Sequence, residues 1–278
     1  MDLVPADHFS MEELTDIYNT TRVDYLVPMP MSVARLEKYV HVYDVVLSSS
    51  VVAVYEDEPI GLCMLALRDD RAWITRLGVV PNTRRRGTGY EMMAYVLDEA
   101  ARAAVSVVYL EVIHGNKPAI QLFDRLGFEV LRDLLILRRP PGPPEPVDLP
   151  EATITAHSNG LVGDFADQRP WRPAWTNQTE SLLNAGGVRM LHIFEHETEN
   201  SGWVSYATSA LQLQRVIVSP DEHSEYAPAY HLLHALHSQF PALDTVAENV
   251  PGDSPYLDVF FEHGYVESFS RIEMALWI

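Results

Sequence analysis

The most chemically pointed stretch of the sequence is Arg84-Arg85-Arg86-Gly87-Thr88-Gly89, a run suited to gripping a diphosphate. Its glycines can take positive φ and let the backbone come close to a ligand, so that successive N–H groups aim into one concavity. A helix is expected to open at Gly89, and its N-terminus adds about half a positive charge. Three arginines supply formal charge in a chain with 20 Lys and Arg against 39 Asp and Glu. A surface basic loop, or a patch for some other polyanion, has the same local composition. The flanking elements must decide. Upstream, residues 72–80 read as a strand that ends on Pro81, which cannot donate to a ladder. No Gly-x-Gly-x-x-Gly turn follows a strand, which argues against a Rossmann dinucleotide site.

The elements around the loop can be read from pattern. Ser10 with Glu13 forms a capping box ahead of Leu14, Ile17 and Tyr18, predicting a helix over 10–19. Ser32 opens a second helix with Val33, Leu36, Tyr39 and Val40 on one face. Residues 45–55, 60–67 and 72–80 are β-rich. Glu56-Asp57-Glu58-Pro59 and Arg68-Asp69-Asp70-Arg71 separate them as hairpin turns. A helix over 89–103, a strand over 107–113, a helix over 118–126 and a strand over 128–137 complete the segment. The order ααβββαβαβ predicts an α/β (α+β) fold, a mixed and mostly antiparallel twisted sheet flanked by helices.

The pattern Leu77-x-Val79-x-Pro81-x-x-Arg84-x-x-Gly87-x-Gly89 resembles the acetyl-CoA loop of the GCN5-related N-acetyltransferases (GNAT). A second signature follows in order: Leu110-Glu111-Val112-x-x-x-Asn116-x-x-Ala119-Ile120-x-Leu122-Phe123-x-x-Leu126-Gly127-Phe128 resembles the family's strand–helix–strand segment beside the coenzyme. Two long motifs in order are far more specific than a glycine loop alone, and the resemblance covers residues 1–139.

The resemblance implies acetyl-CoA as co-substrate and no metal. The strand carrying Leu77 and Val79 would splay from its parallel neighbour, leaving a V-shaped slot. The Val79 N–H would polarise the thioester carbonyl as an oxyanion-type donor. Leu77 and Val79 would bond the pantetheine through their backbones. The amides of Arg84, Arg85, Arg86, Gly87, Thr88 and Gly89 would hold the pyrophosphate, and Asn116 the pantetheine near its sulfur. Glu111 is the candidate general base, in spacing similar to the ribosomal-protein N-terminal alanine acetyltransferases, which use a glutamate there. A carboxylate at a partly buried strand end can accept an ammonium proton, directly or through water; a solvated or ion-paired strand residue is the structural alternative. Phe123 holds the coenzyme-side position where many relatives carry a tyrosine as general acid, and it has no proton to give. Tyr90, Tyr95, His114 or water remain as donors. Cys63, with nothing nearby in sequence to activate it, reads as a packing residue rather than an acyl carrier.

Composition bounds the rest. The 278 residues suggest two domains of roughly 140 residues, and 47% apolar with 21% charged residues is an ordinary globular mixture. A net charge of -19 opposes nucleic acid and anionic membrane surfaces. No apolar run approaches the roughly 18 residues of a membrane span. The start of the chain lacks a secretory pattern, and one cysteine forms no internal disulfide, so a cytoplasmic home is expected.

Six prolines among residues 139–150 make a stiff spacer. This divides the chain into 1–139, a linker at 140–150, and 151–278. The later part repeats the layout: strands over 191–195, 202–207 and 211–218, a helix over 226–240, a strand over 244–247, a helix over 255–263 and a closing strand. Phe260-Phe261-Glu262-His263-Gly264-Tyr265 mirrors Phe123-Asp124-Arg125-Leu126-Gly127-Phe128. Yet Asp221-Glu222-His223-Ser224-Glu225-Tyr226 stands where the loop would be, with three carboxylates that repel a diphosphate. The chain is therefore expected to be a tandem of GNAT-like domains, the second degenerate and without coenzyme. That copy would shape the acceptor pocket, cover a sheet edge, or pair two chains as a homodimer. Mycothiol synthases share the tandem architecture, although there the second copy is the live one. His231, His234 and His237 lie on one probable helix without a completed metal-ligand pattern. Trp171 and Trp175 read as packing anchors or an aromatic wall over the acceptor. The expected activity is N-acetylation of a small-molecule or peptide amine. A non-catalytic acetyl-CoA sensor or scaffold is the alternative, and longer acyl chains are not excluded.

Overall fold

The computed structural model describes residues 1–84, 87–158, 162–167, 169, 171–220 and 226–278. They group into two compact units, Met1–Leu131 with Ile272–Ile278, and Arg132–Arg271.

The first unit begins with a short strand that pattern reading missed, β1 (Asp2–Pro5). Helix α1 (Met11–Thr20) follows, and its capping box forms as expected: the Ser10 hydroxyl accepts from the Glu13 N–H, and the Glu13 carboxylate accepts from the Ser10 N–H at 2.7 Å. Helix α2 (Val33–Val42) starts on the Ser32 cap. Strands β2 (Val51–Tyr55), β3 (Glu58–Arg68) and β4 (Arg71–Val79) form an antiparallel meander. Of the 45–55 run only its second half is strand, because residues Leu47–Ser49 form a 3-10 turn. Helix α3 (Thr88–Arg102), strand β5 (Val107–Ile113) and helix α4 (Lys117–Arg125) complete the order. The sheet runs β1-β2-β3-β4-β5, parallel only between β4 and β5. Met92, Met93, Val96 and Ala100 of α3 and Phe123 of α4 pack on Cys63, Leu65, Ile74 and Leu110 to make its core. On α1 and α2, Leu14, Tyr18 and Leu36 are fully buried.

The second unit repeats this plan. It contains β7 (Ala152–His157), α5 (Val162–Asp167), α6 (Thr179–Ala185), β8 (Arg189–Glu195), β9 (Ser201–Thr208), β10 (Gln212–Pro220), α7 (Tyr226–Gln239), β11 (Asp244–Pro251) and α8 (Leu257–Glu262). The closing strands depart from a simple split at the prolines. Strand β6 (Glu129–Arg139) pairs over Leu134 to Arg139 with β11, while Ile272–Ile278, the end of β12 (Val266–Trp277) and the last residue, belongs to the first unit. Backbone pairing, not the linker, sets these memberships.

The histidines of α7 lie in this second unit, each engaged by protein. The His237 ring is fully buried with Nε2 3.0 Å from the Tyr265 hydroxyl, His231 Nδ1 is 3.5 Å from the buried Glu195 carboxylate, and His234 meets the Glu145 carbonyl at 3.2 Å. Trp175 is buried, and Trp171 packs beneath Arg169.

Burial, with Arg139 and the neighbouring histidine rings adding to it, pushes His237 from 6.5 down to about 3. His231 and His263 are also lowered, burial leading in both. A histidine kept neutral in the fold takes up its proton on unfolding once the pH falls below its ordinary value. The stabilising contribution is thus complete above pH 6.5 and is lost progressively as pH falls toward 3. Urea unfolding followed at a series of pH values should show a midpoint that drops through this window. His237→Gln should make the drop shallower.

Candidate active site

Strand β4 ends in a fork. Its parallel pairing with β5 runs from Arg71 opposite Val107 to Ile74 opposite Leu110, then stops. Just beyond, Arg76 adopts φ +56°, and the register against β3 shifts: Thr75 faces Met64, but Gly78 faces Leu62. Arg76 and Leu77 therefore stand opposite Cys63 alone, a bulge that bends the strand and re-aims its polar groups. The Val80 N–H donates to the Ile60 carbonyl at 2.8 Å. By the alternation of antiparallel pairing, the N–H and C=O of Val79 then face away from β3, into the fork.

The predicted phosphate loop hangs from this strand end. Residues Pro81–Thr83 form a 3-10 turn, Gly87 adopts φ +87° as the cap of α3, and the first helical bond runs from the Glu91 N–H to the Gly87 carbonyl. The amides of Thr88, Gly89 and Tyr90 precede that ladder and have no intrahelical acceptor. A Cβ at Gly87 would meet nothing within 4 Å, so its backbone freedom, not space, is what the glycine supplies. Gly89 packs toward Leu122 and Val79, tying the helix start to the fork. Arg85 and Arg86 lie outside the described residues. The Arg84 guanidinium makes a bidentate pair with Asp24 at 2.7 and 2.8 Å and also donates to the Val79 and Thr21 carbonyls. Its side chain fastens the end of β4 to the segment after α1.

The second motif arrives from β5 and α4. The Asn116 side chain accepts from the Ala119 N–H at 3.4 Å as the cap of α4. Phe123 is buried beside Phe128, ring centres 6.0 Å apart, and serves as core. Glu111 is half-buried and follows the last paired residue, which puts it level with Thr75 across the fork. Cys63 is fully buried, and burial pushes its thiol far up, away from a nucleophilic thiolate. Tyr90 is exposed on the first turn of α3 and His114 is exposed after β5. Tyr95 lies in the middle of α3, half-buried, and burial and then Glu99 raise its phenol.

On the α1 and α2 side stands a group that motif reading did not find. Arg76 stacks on the Tyr39 ring at 4.1 Å and on Tyr18 at 5.3 Å, while Arg22 stacks on Tyr18 at 4.8 Å and Tyr25 at 4.5 Å. Arg76 also donates to the Tyr18 hydroxyl, and Arg22 to the Leu77 carbonyl at 3.2 Å. The Tyr39 hydroxyl sits 2.6 Å from Thr75 Oγ1. Burial pushes its phenol up to about 12, opposed by the Arg76 charge and assisted by the Glu111 charge, which puts both groups near that ring. An arginine inside a strand pattern signals an outward face. Nothing in its type announces a left-handed residue at a fork.

Residues 12–128 match the family model described as Acetyltransferase (GNAT) family. The resemblance to the GNAT family is thus carried by residues 12–128. The [ribosomal protein bS18]-alanine N-acetyltransferase of Escherichia coli K12 is 34% identical over 59 residues, 21% of this chain and 40% of that protein. The mycothiol acetyltransferase of Clavibacter sepedonicus is 39% identical over 84 residues, 30% of this chain and 26% of that protein. The chain thus spans well under half the length of these curated relatives. A tandem GNAT protein from the clavulanic acid biosynthesis pathway superposes with TM-score 0.67 at 13% identity, covering 99% of this chain and 98% of that one. At that identity the likeness is one of fold, and it extends the GNAT architecture across both units.

The second unit carries the same bulge in its GNAT-like sheet. Arg215 has φ +55°, Gln214 faces Ala207, Ile217 faces Ser205, and parallel pairing with β11 covers only Gln212 and Leu213. Val218 therefore corresponds to Val79. Its carbonyl is taken by the buried Tyr256 hydroxyl at 3.0 Å. Tyr256 lies four residues before Phe260, as Ala119 lies four before Phe123. The expected acidic replacement for the phosphate loop, residues 221–225, lies outside the described residues.

The close seat of α1 on β4 depends on Gly78, where a Cβ would stand 2.8 Å from the Thr21 Cβ. Gly78→Ala should cost about 1–3 kcal/mol, read as a lower midpoint in urea unfolding, and should displace the Arg84–Asp24 fastening with it.

Proposed function

We propose that the protein transfers an acetyl group from acetyl-CoA to a primary amine by direct attack, with the first unit holding the donor. One observation carries this reading: the fork between β4 and β5 exposes the backbone of Val79 beside the uncapped start of α3. Fixed N–H donors aimed where charge develops stabilise a transition state without reorganisation. The Val79 N–H would serve the thioester oxygen, while Leu77 and Asn116 would steady the pantetheine. The amides from Arg84 to Gly89, including those of Arg85 and Arg86, would hold the pyrophosphate. Glu111, level with Thr75 at the mouth of the fork, would take the ammonium proton so that a neutral amine attacks. Phe123 gives no proton, so the leaving thiolate is served by Tyr90 or by water.

By chain order the donor copy is 1–139 and the degenerate copy 151–278, joined by 140–150, although each copy's last strand contributes to the other unit. Relatives named for acetylating a ribosomal protein's alanine or mycothiol support an amine as acceptor. A buried free Cys63, and no described helix long and apolar enough to cross a membrane, fit a cytoplasmic protein.

Glu111→Gln should lower kcat by about 10²–10⁴-fold while the KM for acetyl-CoA stays near wild type. An unchanged rate would remove Glu111 as base. Coenzyme binding without CoA release from any amine would instead favour a sensor. Calorimetry should give one acetyl-CoA per chain, because Tyr256 occupies the second copy's strand edge; two would overturn the assignment of a closed second slot.

A further inference from the structure

Among the described residues, strand β7 of the second unit has one free edge. It pairs with β8 from Ala152 opposite Glu195 to His157 opposite Met190, six positions without a bulge, and it is last in the strand order. Just before it, the His196 N–H donates to the Glu151 carbonyl at 3.1 Å. By the alternation of antiparallel pairing, Thr153, Thr155 and His157 also turn their backbone groups to β8, while Ala152, Ile154 and Ala156 turn theirs outward. Residues 153–156 are exposed, Ile154 at 42%. A row of outward N–H and C=O groups is a template for another strand. Edges are ordinarily guarded by charge, proline or a bulge. Strand β1, the edge of the first unit, has Asp2 and Pro5 within its four residues. Strand β7 has no such guard between Ala152 and Ala156.

The sequence of this edge selects its partner. Ala152-Thr153-Ile154-Thr155-Ala156 reads the same in both directions. Two copies laid antiparallel about a two-fold axis at Ile154 therefore match position by position: Ile154 faces Ile154, Ala152 faces Ala156, and Thr153 faces Thr155. At the flanks Glu151 meets His157, so no like charges stand opposite one another. The outward backbone groups are the ones that fall into bonding pairs in this register. Ile154 exchanges two hydrogen bonds with its counterpart, and each Ala152 exchanges two with the opposing Ala156. A chain of net charge -19 repels a copy of itself over most of its surface. Five neutral residues with free backbone groups are where two copies can meet.

We propose that β7 is an interface with a second copy of this chain, formed by antiparallel self-pairing centred on Ile154. The contact is isologous, so each edge is used once and assembly stops at a dimer. Pairing covers the exposed Ile154 side chain with its own counterpart and satisfies the outward groups of all three residues. It is independent of the acetyl-transfer reading and needs no coenzyme.

Sedimentation equilibrium of the full chain over a concentration series should show a reversible monomer–dimer equilibrium. Ile154→Lys sets like charges face to face and should weaken the dimer at least about tenfold. Ile154→Pro removes an N–H that points outward and leaves the β7–β8 bonds in place. It should weaken the dimer comparably, with the urea midpoint near wild type. Cysteine trapping reads the register, and the buried Cys63 does not compete. Under mild oxidation Ile154→Cys should give a covalent dimer, since a bonded pair has its Cα atoms about 5.5 Å apart, within disulfide range. Thr155→Cys, which faces Thr153 of the second copy, should not. If the proline unfolds the strand, the lysine variant and the two traps still decide. A chain monomeric at every concentration overturns the proposal. So does a dimer indifferent to Ile154→Lys, or one trapped as readily from position 155 as from 154.

Discussion

The first unit is organised around one residue in an unfavourable conformation. Arg76 is left-handed, a state that costs a side-chain-bearing residue about 1–2 kcal/mol, and it persists because its surroundings over-determine it. The guanidinium is clasped between Tyr39 and Tyr18, and the flanking residues are paired to β3 on both sides of the bulge. The extra residue turns β4 from β5 after four paired positions. It also swings Leu77 and Val79 so that their polar groups face away from β3, toward side chains at the margin. Without the bulge the parallel ladder would continue and no slot would exist. The loop, the start of α3 and the cap of α4 are useful only because they arrive at that opening.

The second unit makes the same bend with Arg215 and then fills what it opens. Tyr256 donates to the Val218 carbonyl, and Asn177 donates to the Glu248 carbonyl at 2.8 Å. A buried strand edge must find partners. In this copy side chains of the same unit provide them, and the large Tyr256 takes the place of the small Ala119. The second unit thus keeps the bend while its own side chains fill the strand edge that the bend opens. The lesson for the first unit is symmetrical: the Leu77 and Val79 carbonyls are also met, by Arg22 and Arg84, but by exposed or half-buried side chains at the margin. Those can yield where a buried phenol cannot.

Most elements were legible because local rules and the final structure agree. The capping box at Ser10, the Ser32 cap, the strand over 107–113 and the helix before Gly127 needed only pattern and turn chemistry. Short pieces were not. The β1 strand and the α5 and α6 helices are four to seven residues long, too short for periodicity to stand out. The 45–55 run looked continuous because its apolar residues serve a 3-10 turn as readily as a strand.

The sequence by itself determined the backbone course from the end of β4 into α3. A positive-φ glycine, a strand-ending proline and a following helix specify a strand–turn–helix junction, since each acts on backbone within a few residues of itself. What only the tertiary structure decided was how long-range partners used the side chains. Arg84 fastens to Asp24, sixty positions away. Arg22 and Arg76, which look like ordinary surface arginines, meet through Tyr18 at the fork. A guanidinium's task is set by which ring or carboxylate the fold brings within about 3–6 Å, and no local pattern encodes that distance.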